Sequence, residues 1–193
     1  MQRYLAEKLH GKVPDYIILN VGDNDTFGMN PDEKDSQTEK DFIKNMNTLL
    51  DHLHAMAPRA VMGAMLPNTY NFSDHSFLIN YGPTAPRWKQ MRNRQRYIEL
   101  MTGIAASRTD LTLIPSNFVV DGIDGMPYNS GTHFNNIGAR QFAGAAYAWL
   151  KMQFSAEQQH ASSAPLKVAA APSAQPIEAP AQEKGWLAWV FGN

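Results

Sequence analysis

The sequence predicts an α/β fold, a parallel sheet of about three strands with helices on both faces. Short runs of apolar residues, rich in β-branched side chains, alternate with longer segments whose apolar residues recur at helical spacing. Strands and helices that alternate along a chain favour a parallel sheet with right-handed crossovers.

Three apolar runs predict the strands, at 15–21 (DYIILNV), 59–66 (RAVMGAML) and 111–120 (LTLIPSNFVV). The first run is nearly all apolar, as expected for a parallel strand that is covered on both faces. Pro67 directly follows the second run and ends it.

Three helices are predicted beside these strands. The first follows the first strand, carries an apolar stripe and ends before Pro58. The second is predicted over about 87–108 and the third over 135–154. The polar and aromatic segment 67–86 is predicted as a loop.

A change of composition at residue 155 divides the chain. Residues 1–154 are predicted to form the α/β domain. Residues 155–185 are rich in Ala, Pro, Ser and Gln, which predicts a flexible linker because little apolar surface can be buried there. Residues 186–193 form a short apolar peptide with three side chains at one-face helical spacing.

The overall composition excludes several classes of protein. The 17 basic and 18 acidic residues nearly cancel, which argues against an electrostatic nucleic-acid binder. The absence of cysteine excludes disulfides, thiolate metal sites and a cysteine nucleophile. No apolar run is long enough to predict a transmembrane segment. No pattern predicts a metal or an organic cofactor, and none fixes the compartment.

A polar cluster, VGDNDTFG, follows the first predicted strand. In an open parallel sheet, ligands bind beyond the carboxyl ends of the strands. Gly22 permits a sharp turn there, and Asn24 offers a neutral amide donor. The alternative is structural, with Asp23, Asn24 and Asp25 forming an Asx-turn that caps a helix.

A second polar cluster, NSGTHFNNIG, follows the third predicted strand and therefore belongs to the same edge. His133 lies within it, and Asn135 and Asn136 are placed to cap the last helix. The imidazole of His133 could act as a general base while an amide such as that of Asn24 stabilises an oxyanion. The alternative is a structural or surface histidine.

These two clusters resemble known sequence blocks. The stretch PDYIILNVGDND resembles the third block of the SGNH (GDSL-type) hydrolases, and GTHFNNIGARQFAGAAYAWLK is similar to their fifth block. The resemblance covers about residues 1–152 and implies a flavodoxin-like three-layer fold and hydrolysis of acyl esters without metal or cofactor. It implies that Asn24 is the oxyanion donor, that Gly22 fixes the turn presenting it, and that His133 is the base that activates a serine.

The chain departs from the family pattern in two places. Ser130 stands where the family has an acid, three residues before the histidine, so Asp121 or Asp124 is expected to substitute, with Asp25 as a further supporting carboxylate. The Gly-Asp-Ser block that carries the nucleophile does not occur in this chain.

The chain is therefore expected to be the C-terminal portion of such a hydrolase, incomplete in its sheet. Its first strand, 15–21, would lie at a sheet edge that a partner chain could complete. The function expected is that of a serine-esterase fragment acting on small-molecule or glycan acyl esters, including O-acyl groups of carbohydrates. The alternative is a non-catalytic binding or assembly module derived from the same family.

Overall fold

A computed structural model describes residues 2–8 and 10–163 and contains a parallel three-stranded sheet. The strands β1 (Tyr16–Leu19), β2 (Val61–Met65) and β3 (Leu111–Ile114) lie in the order β1-β2-β3. The prediction of an α/β fold with an incomplete parallel sheet is confirmed.

Each strand is shorter than the apolar run that predicted it. β3 pairs with β2 from Leu111 to Ile114, with Ile114 opposite Met65. Pro115 comes next and has no N–H to donate to a ladder, so the chain turns into a short 3-10 helix at Ser116–Phe118. The predicted strand 111–120 is therefore wrong in its second half.

Five α-helices are present in the described part of the chain, two of them unpredicted. The bounds are α1 Gln2–Lys8, α2 Gln37–Met56, α3 Asp74–Tyr81, α4 Arg87–Ala106 and α5 Asn136–Ser163.

Helix α3 corrects the prediction that 67–86 is a loop. The side chain of Ser73 accepts a hydrogen bond from the backbone N–H of Ser76 at 3.4 Å and so caps the helix. Phe77 is buried, while the next two residues, Leu78 and Ile79, are exposed. The helix therefore lacks the clean apolar stripe by which a sequence pattern is recognised.

Helix α5 continues beyond residue 154, where the composition predicted the end of the domain. Segment 155–163 contains Ala, Glu and Gln, which favour helix, and the first proline after it is Pro165. The predicted linker thus begins inside α5. Its remainder and the peptide 186–193 lie outside the described residues.

The sheet separates two apolar clusters, as a three-layer fold requires. Met62 and Ala64 of β2 pack with α2 and α4 on one face, whereas Met65 packs with α5 on the other. The absence of a side chain at Gly63 lets α5 pack close to the sheet, since a Cβ there would lie 2.8 Å from atoms of both Ile114 and Trp149.

Strand β1 lies at the edge of the sheet, as predicted for 15–21. Among the described residues it pairs with β2 alone, and all four of its residues are only half-buried. The carbonyl oxygen of Asp15 accepts from the backbone N–H of Val61 at 2.9 Å. Along a strand of a parallel ladder, the backbone groups of every second residue point to the same neighbour. Asp15 bonds to β2, so the backbone N–H of Ile18, three residues later, points away from β2.

A buried ion pair joins α2 to α4. Arg96 Nε and Nη2 donate to the two carboxylate oxygens of Glu39 at 2.7 and 2.8 Å, and Glu39 is 1% exposed. Glu39 also accepts from the backbone N–H of Asp35 at 2.9 Å, and its own N–H donates to Ser36 Oγ at 3.3 Å. The hydrogen bonds from Arg96 hold the pKa of Glu39 below its ordinary value.

None of the helices in the described segments is long and apolar enough to cross a membrane.

Candidate active site

The turn after β1 depends on Gly22. Its φ of +100° lies in the region that favours glycine. A Cβ at this position would overlap the ring and hydroxyl of Tyr97. Tyr97 is buried in α4, and its Oη donates to the carbonyl oxygen of Val21 at 2.8 Å. The end of β1 is thereby fixed against α4.

Asn24 follows this turn, and no described residue forms a hydrogen bond with its side-chain amide. It occupies the N-cap position of a short 3-10 helix, Asp25–Gly28, without a side-chain capping bond. The turn is held instead by Thr26, whose Oγ1 donates to the carbonyl oxygen of Asp23 at 2.6 Å. The structural alternative of capping by the Asn24 side chain is therefore wrong, and the amide is available to a ligand.

His133 lies just before α5 and is oriented by a local turn. Its Nδ1 lies 3.0 Å from Ser130 Oγ, and the same oxygen accepts the backbone N–H of His133 at 3.0 Å. Ser130 is buried, and its carbonyl oxygen accepts from Asn71 Nδ2 at 3.0 Å. Asn135 caps α5 as predicted, through bonds of its Oδ1 to two helix N–H groups, whereas Asn136 is the first helical residue.

Asn24 and His133 line the same cleft at the carboxyl edge of the sheet. The cleft has a volume of about 450 Å³. Its lining residues are Asp23, Asn24, Phe27, Tyr70, Tyr81, Thr132 and His133. Two segments that are far apart in the sequence therefore bring an amide and an imidazole to one solvent-exposed site.

The hydroxyl groups of this cleft are paired with one another or with the turn. Tyr70 Oη lies 2.8 Å from Thr26 Oγ1, and Tyr81 Oη lies 2.6 Å from Thr132 Oγ1. Burial raises the pKa of Tyr70 to about 12, so its phenol stays protonated at neutral pH. Within the described chain, no serine lines the cleft.

Asp23 lines the cleft, and Arg94 lies near it beside Tyr70. The guanidinium of Arg94 lies 5.6 Å from the centroid of the Tyr70 ring, and its Nη1 donates to the carbonyl oxygen of Asn68. Burial lowers the pKa of Arg94. Burial raises the pKa of Asp23, and the positive charges of Arg94 and His133 act in the opposite direction.

The three carboxylates that the sequence suggested as supporting groups lie elsewhere. Asp25 lines a neighbouring cleft of about 470 Å³ between the turn and α2. Asp121 Oδ1 accepts the backbone N–H groups of Ile123 at 2.7 Å and Asp124 at 3.0 Å, which lowers the pKa of Asp121. His133 Nδ1 lies beside Ser130 Oγ, and no hydrogen bond joins His133 to Asp121 or Asp124 in the described chain, so the structure gives no support to the expectation that one of them replaces the family's acid.

Asp23 is instead the carboxylate that the fold brings to this cleft, and the sequence analysis did not select it. Its position next to Asn24 is the one feature of the sequence from which Asp23 could have been predicted as a site residue. Arg94 was also missed, since its approach to the ring of Tyr70 depends on the packing of α4. Within residues 2–8 and 10–163, no group of three or more His, Asp or Glu side chains is arranged to hold a metal ion.

Comparisons with known proteins show the fold. No family model and no curated protein matches the chain. A solved structure from Streptococcus pneumonia, provisionally named a platelet activating factor, superposes with a TM-score of 0.52 at 16% identity. The superposition covers 78% of this chain and 68% of that chain. At this identity the likeness establishes a shared fold.

Proposed function

We propose that this chain forms the oxyanion and base part of an SGNH-type acyl-ester hydrolase site. The observation that carries the proposal is that Asn24 and His133 line one cleft, with the Asn24 amide unpaired among the described residues. The shared fold with a distant structural neighbour supports the same architecture. Residues 1–154 are proposed as the hydrolase-like unit.

In this role Asn24 acts on the carbonyl oxygen of the ester. As a nucleophile attacks, negative charge develops on that oxygen, and a hydrogen bond from Asn24 Nδ2 stabilises it. The conformation of Gly22 and its contact with Tyr97 hold the turn, so the amide is positioned before the substrate arrives. A donor placed in advance costs no reorganisation during the reaction.

His133 acts as the base. Its Nε2 would take the proton from the attacking hydroxyl and return it to the leaving alkoxide. This requires the proton on Nδ1, donated to Ser130 Oγ, which retains acceptor capacity besides its bond to the backbone N–H of His133. Ser130 is thus a positioning residue that can hold the tautomer but is uncharged.

The nucleophilic serine is proposed to come from outside this chain. No serine lines the cleft in the described residues, and the hydroxyls that do line it already have partners. The open edge of β1 would accept further strands, from an upstream segment or from a partner chain. Acyl esters, including O-acyl groups of carbohydrates, are the proposed substrates.

A non-catalytic binding or assembly module is the second candidate. Ser130 in place of a carboxylate is the observation that favours it, because the charge that would stabilise an imidazolium is missing at that position.

The activity of the 193-residue chain tests the proposed division of the site. We expect no hydrolysis of p-nitrophenyl acetate above the rate of the His133→Gln variant, and no labelling by a serine-directed phosphonate. Turnover that the phosphonate abolishes would contradict the proposal, since a serine of this chain would then be the nucleophile. An in-frame Gly-Asp-Ser segment that restores turnover dependent on Asn24 and His133 would exclude the binding-module alternative.

A further inference from the structure

Asp23 places a carboxylate on the His133 cleft, and the described residues around it leave this carboxylate unpaired. In the described part of the chain it is the single acidic side chain among the cleft's lining residues. No described residue donates a hydrogen bond to its carboxylate or forms a salt bridge with it within 4.0 Å. Its backbone is fixed, because Thr26 Oγ1 donates to its carbonyl oxygen at 2.6 Å. The carboxylate therefore lines the cleft on a fixed backbone, without a hydrogen-bond partner among the described residues.

Four titratable or charged groups face Asp23 from the surrounding elements. Arg94 and Tyr97 belong to α4, Tyr70 lies in the loop after β2, and His133 lies before α5. The two tyrosines stay protonated at neutral pH because burial raises the pKa of both. Arg94 donates from Nη1 to the carbonyl oxygen of Asn68, and its guanidinium lies over the ring of Tyr70. His133 is thus the group on this cleft that the proposed reaction protonates.

The proposed reaction creates a positive charge on His133 when the imidazole takes a proton. The neighbouring Ser130 hydroxyl orients Nδ1 but carries no negative charge. A carboxylate on the same cleft stabilises an imidazolium through their electrostatic attraction.

We propose that Asp23, which lines the same cleft as His133, supplies the negative charge that stabilises the imidazolium of His133. In a Ser-His-Asp triad a single carboxylate both orients the imidazole and stabilises its positive charge. Here Ser130 would orient the ring, and Asp23 would stabilise the positive charge. The inference rests on the proposed function of His133 as a base. Asp23 is a positioning and charge-stabilising residue, because it acts through His133.

The titration of the Asp23 carboxyl carbon by NMR tests this coupling directly. In the His133→Gln variant the midpoint should move to higher pH, because the charge that favours the carboxylate has been removed. Asp121 provides the internal control, since its pKa is lowered by backbone N–H groups of its own loop and its midpoint should not move. An Asp23 midpoint that is the same in both proteins would overturn the proposal.

The reciprocal experiment replaces the carboxylates of the turn one at a time. Asp23→Asn should make His133 react about two-fold faster with diethyl pyrocarbonate at pH 6, because the reactive neutral imidazole gains population when the charge is lost. Asp25→Asn is the matched control and should leave that rate unchanged, since Asp25 lines the neighbouring cleft. Equal rates in wild type and Asp23→Asn would contradict the proposal.

Neither measurement requires a nucleophile or turnover. The coupling of Asp23 to His133 can therefore fail while an ester still binds at Asn24. Conversely, the coupling can hold in a chain that proves to be a binding module.

Discussion

Replacing Gly22 by alanine tests whether the turn that presents Asn24 is held by two independent constraints. The first is the backbone, since the φ of +100° is strained for any residue with a Cβ. The second is packing, because the new methyl group would overlap the ring of the buried Tyr97.

The structure supplies a control that separates these two costs. Gly82, at the C-terminus of α3, also has a positive φ, +68°, but a Cβ there would meet no atom within 4 Å. Gly82→Ala should therefore lose only the backbone contribution, about 2 kcal/mol. Gly22→Ala adds about 1–3 kcal/mol for overpacking and about 1 kcal/mol for the hydrogen bond from Tyr97 to Val21, if Tyr97 is displaced. We expect a total of about 4–6 kcal/mol.

Urea unfolding followed by fluorescence of the buried Trp149 measures both variants. Gly22→Ala should lower the free energy of unfolding by clearly more than Gly82→Ala. Equal losses in the two variants would refute the argument that Tyr97 holds the turn.

Two further predictions concern stability and association. Glu39→Gln should cost about 3 kcal/mol of unfolding free energy, because it breaks a buried pair with Arg96. The pKa of Glu39 is lowered in the folded chain, so the stability that its carboxylate contributes is present above the ordinary value of 4.5 and is lost as the pH falls below that value. The unfolding free energies of the two proteins, measured by urea titration, should therefore become equal as the pH falls. A difference that stays constant with pH would contradict this. Ile18→Pro removes the N–H that points away from β2 and should reduce concentration-dependent association in size-exclusion chromatography with light scattering. A wild-type chain that stays monomeric as its concentration rises would show that the β1 edge does not attract a further strand.

The sequence was sufficient to predict the sheet and three of the helices, because their apolar residues recur with clear periods. The polar clusters at Gly22 and His133 could be placed on one edge because both follow predicted parallel strands. Helix α3 could not be predicted, since exposed Leu78 and Ile79 adjoin buried Phe77 and obscure the helical period.

Asp23, the proposed charge partner of His133, could not be predicted from the sequence for a different reason. Asp121 and Asp124 are closer to His133 along the chain, but the Asp121 loop folds on itself and bonds its carboxylate to its own backbone. Asp23 comes from the other end of the domain and reaches the cleft only because β1 lies beside β2. Such convergence is a property of tertiary packing, which spacing along one chain does not encode.

The central claim is that Asn24 presents its amide to the carbonyl oxygen of an ester on the His133 cleft. It is tested most directly by following the Asn24 side-chain NH2 resonances in 15N–1H spectra while ethyl acetate is added. We expect a saturable shift of the Asn24 resonances, no shift of Asn45 in the neighbouring cleft, and no effect of diethyl ether, which lacks the carbonyl acceptor. Asn24 resonances that do not move, or that move equally with ester and ether, would contradict it.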